Sequence, residues 1–174
     1  KAYLGMTAET DYIVKLGTTA LASRLRRLLN RLLADGELVY KNLGIDFKIK
    51  WFPVLHLLAN HSSMTVTEMA EALKMAHPSI IEISEDMKKE KLVISRFCCD
   101  DKRKREIHLT GKGRRLYSRL QPVWTAFKEA GADVNYEFDN DFLKAVGKLE
   151  AAIEKKSMHD RIISILEKNK NKKI

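Results

Sequence analysis

Residues 65–110 read TVTEMAEALKMAHPSIIEISEDMKKEKLVISRFCCDDKRKREIHLT. Thr65 and Glu68 stand at the spacing of a capping box, in which the threonine hydroxyl and the glutamate carboxylate each satisfy one free amide at a helix start. The helix that follows puts Met69 and Leu73 on one face, with Ala70 small enough for close approach. Lys74-Met75-Ala76 is predicted to be a turn, and Pro78 suits the first turn of a second helix, where its missing amide costs nothing. Ile80, Ile83 and Met87 recur at helical spacing and are expected to face inward. After Lys91 the pattern changes to a strand, Leu92 to Phe97. A loop from Cys98 to Lys104 follows, and Arg105 to Leu109 returns with Ile107 and Leu109 alternating.

Helix, turn, helix and a hairpin with a basic tip describe a winged helix-turn-helix. The fold class predicted is mainly α with a small β-hairpin wing and helical dimerisation arms, and the partner expected is double-stranded DNA.

Upstream, residues 11–34 are expected to form a long helix with a leucine seam at Leu21, Leu25, Leu28 and Leu32, stopped by Asp35-Gly36. Arg24, Arg27 and Arg31 lie on another face and are read first as a solvated charged surface. A short helix or turn over 37–44 ends at Gly44. Residues 46–58 lead into a nearly all-apolar helix that belongs behind the recognition unit, with Pro53 in its first turn. Tyr40, Trp51, Phe52 and His56 are the candidates for lining a small-molecule pocket, against the plainer alternative of core packing.

Downstream, Thr110 is the expected cap of a long helix whose seam runs through Leu116, Leu120, Val123 and Phe127; Pro122 is expected to kink it near its middle, and Gly131 with Asp133-Val134-Asn135 to close it. A further helix carries Phe142, Val146, Leu149 and Ile153, and a polar interval from Glu154 to Arg161 precedes Ile162, Ile163, Ile165 and Leu166. These seams are too long for the small core of the recognition unit. A second copy of the chain is the economical partner, with Leu28 and Leu120 at the expected interface. The organisation expected is a domain over 12–150, with a DNA-binding lobe over 45–110, dimerisation helices over 12–34 and 112–167, and a basic tail over 168–174.

The 174 residues carry a formal net charge of +9, which favours a polyanionic partner. No apolar run is long enough to span a membrane and no signal-peptide pattern opens the chain, so a cytoplasmic protein without membrane association is expected. The five histidines show no metal-ligand spacing, and neither a nucleophile elbow nor a phosphate-binding glycine loop is present. No metal, cofactor or catalytic site is therefore expected. Cys98 and Cys99 are adjacent and lie beside Arg96 and Lys102. That setting favours thiolate and keeps a thiol redox sensor open as an alternative, as the acidic second helix does for a protein-interaction module.

Taken together, these motifs resemble the MarR family of bacterial transcription regulators over roughly residues 12–150. The stretch Thr65 to Leu73 is similar to the family's first recognition-unit helix, and Leu92 to Arg96 to its strand. Asp101 to Arg105 followed by Ile107-His108-Leu109-Thr110-Gly111-Lys112-Gly113 resembles its wing and the "Leu-Thr-x-x-Gly" that follows. Trp51 to Val54 and Gln121 to Trp124 are similar to the subgroup fused to an acetyltransferase domain, so the chain is either a stand-alone regulator or the DNA-binding part of a longer fusion. The resemblance implies a homodimer on a pseudo-palindromic operator, a recognition helix in the major groove, a wing arginine in the minor groove, and a small-molecule effector pocket. By position it assigns Ser79 and Glu82 to the recognition helix, His77 and Pro78 to its entrance, and Arg103 or Arg105 to the wing. Lys88, Arg96, Lys102, Arg103, Lys104 and Arg105 suit backbone contact. The chain departs from expectation in its second helix, where Glu82, Glu85 and Asp86 stand and no arginine or lysine occurs from Pro78 to Met87. Acids near phosphates oppose binding, and the commonest specific contact, arginine to guanine, has no source there.

Overall fold

The computed structural model describes residues 11–97 and 104–171. The chain divides between Tyr117 and Ser118 into two compact units. In the first, Asp11 caps α1 (Tyr12–Lys15) through its carboxylate, which accepts the amides of Ile13 and Val14. Gly17, at φ +57°, then turns the chain into a short 3-10 segment that leads to α2 (Leu21–Asn42). The expected helix over 11–34 is thus broken at its start and extended at its end. Asp35-Gly36 does not stop it: Gly36 is buried inside α2, and residues 37–42 are its last turns rather than a separate element. One interior glycine costs only about 1 kcal/mol, too little to end a helix of this length. The true stop is Gly44 at φ +60°, where the amides of Gly44 and Ile45 reach back to the carbonyls of Lys41 and Tyr40.

A 3-10 turn at Ile49–Trp51 feeds α3 (Phe52–Asn60), with Pro53 in its first turn as expected. Strand β1 (Met64–Thr65) precedes α4 (Val66–Leu73), and α5 (His77–Lys89) follows. Strands β2 (Val93–Phe97) and β3 (Arg105–Leu109) form the hairpin. The sheet has three antiparallel strands in the order β1-β3-β2, one more than the hairpin read from the sequence. Met64 pairs with Ile107 and Thr65 with Glu106, a two-residue strand too short to show a period of its own.

The core of this unit is the apolar face of α3 and α5 against the sheet. Trp51, Val54, Leu55, Leu58, Met69, Ile80, Ile83 and Met87 are buried, with Leu92, Val93, Ile107 and Leu109 from the strands. Ile80, Ile83 and Met87 face inward as their spacing requires.

Helix α6 (Gly111–Tyr136) continues through both Pro122 and Gly131 and crosses the unit boundary. Its start is fixed by Thr110, whose hydroxyl accepts the Gly113 amide at 3.0 Å and shares its own proton with the carbonyls of Lys91 and Leu92. A Cβ on Gly113 would lie 2.2 Å from the Leu92 carbonyl oxygen, so only glycine permits this approach of helix to strand. The Thr110-x-x-Gly113 pattern is therefore a packing device.

In the second unit, α7 (Phe142–Lys155) and α8 (Met158–Asn171) occupy the polar interval and its flanks. The Ser157 hydroxyl accepts the Asp160 amide at the start of α8, and Arg161 donates to the carbonyls of Ala152 and Lys156 at the end of α7. Residues 168–171 of the expected tail belong to α8. Leu120 is fully buried within the single chain, unlike Leu28, which is 45% exposed. Exposed leucines continue along α2, and Ile162, Ile165 and Leu166 are exposed on α8. Among the described residues, no helix is long and apolar enough to cross a membrane.

Candidate nucleic-acid interface

The capping box forms as the sequence specifies. Glu68 donates its amide to the Thr65 hydroxyl at 3.2 Å, and its carboxylate accepts the Thr65 amide at 2.7 Å. Those bonds to Thr65 hold the Glu68 carboxyl below the usual range, and Lys104 adds to the effect. Lys74, in the left-handed conformation at φ 51°, ends α4 with the Met75 amide bonded to the Ala70 carbonyl. Helix α5 then starts at His77-Pro78. It ends in the same way: Lys91 sits at φ 58°, and the Leu92 amide reaches the Met87 carbonyl at 2.9 Å.

On α5, His77, Pro78, Ile81, Glu82, Glu85, Lys88 and Lys89 are exposed and Ser79 is half-buried. The three acids do not stand as uncompensated charge. Asp86 lies at the edge of the buried face, where its carboxylate meets Lys48 Nζ at 2.9 Å and Lys50 Nζ at 3.1 Å and accepts the Trp51 indole N–H at 3.0 Å. Lys48, then the indole and Lys50, hold its carboxyl far below the ordinary carboxylate range against the opposing effect of burial. Glu82 pairs with Lys50 at 2.9 Å, and Glu85 with Lys88 one turn on at 3.3 Å. Glu82 and then Asp86 raise the Lys50 pKa, keeping it cationic. Lys48 and Lys50 were missed by reading the sequence, because they precede their partners Asp86 and Glu82 by 38 and 32 residues. Their alternation before Trp51 was the available signal.

The wing pairs Val93 with Leu109, Ser95 with Ile107, Arg96 with Glu106 and Phe97 with Arg105. The Arg105 guanidinium lies over the Phe97 ring at 4.7 Å, a cation–π contact on an exposed strand pair. Glu106 faces the other way, accepting the Ser63 hydroxyl at 2.8 Å and lying 3.6 Å from His108. Arg96, Lys104 and Arg105 are exposed. Lys102, Arg103, Cys98 and Cys99 lie outside the described residues.

The four residues proposed to line a pocket fall into two groups. Tyr40 and Trp51 are buried on either side of Phe47, with ring centroids 4.9 and 5.9 Å from it. Phe52 and His56 are exposed on α3, 5.6 Å apart, and His56 meets Tyr117 at 5.9 Å. A separate cleft of about 530 Å³ lies along α2, lined by Arg24, Arg27 and Arg31 among Leu21, Leu25 and Leu28. Arg27 is paired with Asp11 at 2.7 Å. Among the described residues no group of three or more His, Cys, Asp or Glu side chains is placed to hold a metal ion.

No protein-family model matches the chain, and no curated protein does. Solved structures do match in fold. The DNA complex of Staphylococcus aureus MepR superposes with a TM-score of 0.64 at 19% identity, over 75% of this chain and 96% of that one. A MarR/EmrR family transcriptional regulator from Acinetobacter sp. ADP1 gives 0.62 at 16% identity, over 78% and 95%. Bordetella bronchiseptica BpsR, whose DNA binding is regulated by 6-hydroxynicotinic acid, gives 0.53 at 21% identity, over 63% and 76%. The chain thus has the winged-helix fold of MarR-type regulators.

Proposed function

We propose that the chain is a DNA-binding transcription regulator that acts as a homodimer on a pseudo-palindromic operator and responds to a small ligand. The observation that carries this is the placement of an exposed helix, α5, beside a wing whose described residues Arg96, Lys104 and Arg105 are exposed and basic. The pairing of Glu82, Glu85 and Asp86 with Lys50, Lys88 and Lys48 supports it further, since it removes the main objection to phosphate approach. Exposed apolar side chains along α2 and α8 support a second copy as the partner. His77, Pro78, Ser79 and Glu82 would face the major groove, and Lys88, Arg96 and Lys102 to Arg105 the phosphates or minor groove. An effector is supported by analogy with the ligand regulation of BpsR, and Phe52 and His56 are the exposed aromatic candidates to meet one. The protein is expected to work in the cytoplasm, where its DNA is.

Fluorescence anisotropy with a labelled duplex, repeated across salt concentrations, tests the DNA reading. The logarithm of affinity should fall linearly with the logarithm of salt concentration as counterions are released. Light scattering should give twice the chain mass of 20.0 kDa. Binding without salt dependence, or a monomer with full affinity, would contradict the proposal.

A further inference from the structure

If α5 enters the major groove, its exposed side chains decide which bases it can read. Guanine is read by arginine or lysine at O6 and N7, and adenine by asparagine or glutamine at N6 and N7. From His77 to Met87 the helix contains none of these four residue types. Exposed there are His77, Pro78, Ile81, Glu82 and Glu85, and Glu85 is paired with Lys88. A carboxylate can accept from the cytosine 4-amino group, and an apolar side chain can pack on the thymine 5-methyl group.

Glu82 and Ile81 are adjacent and both project outward: the Glu82 side chain is 73% exposed and Ile81 is 44% exposed. Glu82 Oε1 is engaged by Lys50 at 2.9 Å, while Oε2 has no hydrogen-bond partner among the described residues. Lys50 is itself held by Asp86 at 3.1 Å. The carboxylate is thereby oriented and its charge offset, with one oxygen left to accept.

We propose that α5 is a pyrimidine reader: Glu82 accepts a hydrogen bond from a cytosine amino group, Ile81 packs on a thymine methyl, and Lys50 is the positioning residue that makes an acidic reader compatible with neighbouring phosphates. The inference rests on the DNA-binding reading above and names the bases that reading would recognise.

Selection from a random duplex library tests it with wild type, Glu82→Gln, Ile81→Ala and Lys50→Met. Enrichment alone cannot say which base of a C·G pair is read, but the glutamine variant can. Glutamine reads adenine, so Glu82→Gln should replace the enriched cytosine by adenine with roughly tenfold preference and leave the remaining positions unchanged. Replacing the contacted thymine by deoxyuridine removes only the methyl group and should weaken wild-type binding about threefold. Ile81→Ala should erase that difference. Lys50→Met should lower the preference for cytosine. The same cytosine enriched by Glu82→Gln, or wild type indifferent to every thymine-to-uracil exchange, would overturn the assignment while leaving DNA binding intact. Wild type enriching nothing would overturn both.

Discussion

The indole N–H of Trp51 donates to Asp86 Oδ2 at 3.0 Å, tying the turn before α3 to the exposed helix α5. Trp51 is 1% exposed, so its N–H has no water to fall back on. Removing the acceptor leaves a buried donor unsatisfied, which costs about 1–3 kcal/mol. Asp86→Ala should lose about that much in urea unfolding and should also weaken DNA binding by loosening α5. Asp86→Asn keeps an oxygen for the indole and should lose less stability.

The same carboxylate makes stability depend on pH. Its pKa is lowered in the folded chain, chiefly by Lys48, so the unfolded chain takes up this proton more readily. The stabilisation is fully present above the unfolded value of about 4 and is lost as pH falls toward the lower folded value. The difference in stability between wild type and Asp86→Asn should be constant near neutrality and shrink in acid. A gap that widens below about pH 4 would contradict the assignment.

Gly113 sits where any Cβ meets backbone, 2.2 Å from the Leu92 oxygen. Backbone cannot swing aside as a side chain does, so Gly113→Ala should cost about 2–3 kcal/mol. Gly131→Ala is the control, because nothing lies within 4 Å of its Cβ position. Substitution there should be neutral or slightly stabilising.

Arg105 lies over Phe97 on the wing and is exposed, and the proposed function gives it a phosphate or minor-groove contact. Arg105→Ala should weaken binding to all duplexes alike and reduce the slope of log affinity against log salt by about one. Unchanged slope would place the arginine away from DNA.

The leucine seams differ in exposure, and so in what they offer the proposed dimer. Leu28 is 45% exposed and Leu120 is fully buried in its own chain. Leu28→Glu should yield a folded monomer by sedimentation, with weakened operator binding. Leu120→Glu should instead unfold the chain, as a charge without a partner in a packed interior does.

Local chemistry explains which features could be read in advance. The capping box at Thr65, the turn at Lys74, Pro78 and the inward Ile80, Ile83 and Met87 all rest on contacts within a few residues, and each was legible in the sequence. The end of α2 was not, because Gly36 looks like a stop until the reach of the helix on both sides outweighs it. Strand β1 exists only through its pairing with β3. The acids of α5 were legible but their partners were not, because Lys48 and Lys50 come from a distant turn that only the fold brings alongside.

Selection of duplexes by the wild-type protein from a random library, at low and at physiological salt, separates site-specific binding from charge-driven binding. A dimeric operator-binding protein should enrich one pseudo-palindrome, with half-sites about one helical turn apart, that remains enriched at the higher salt. Retention that disappears with salt and selects no sequence would contradict it, leaving a basic winged helix whose partner is not an operator.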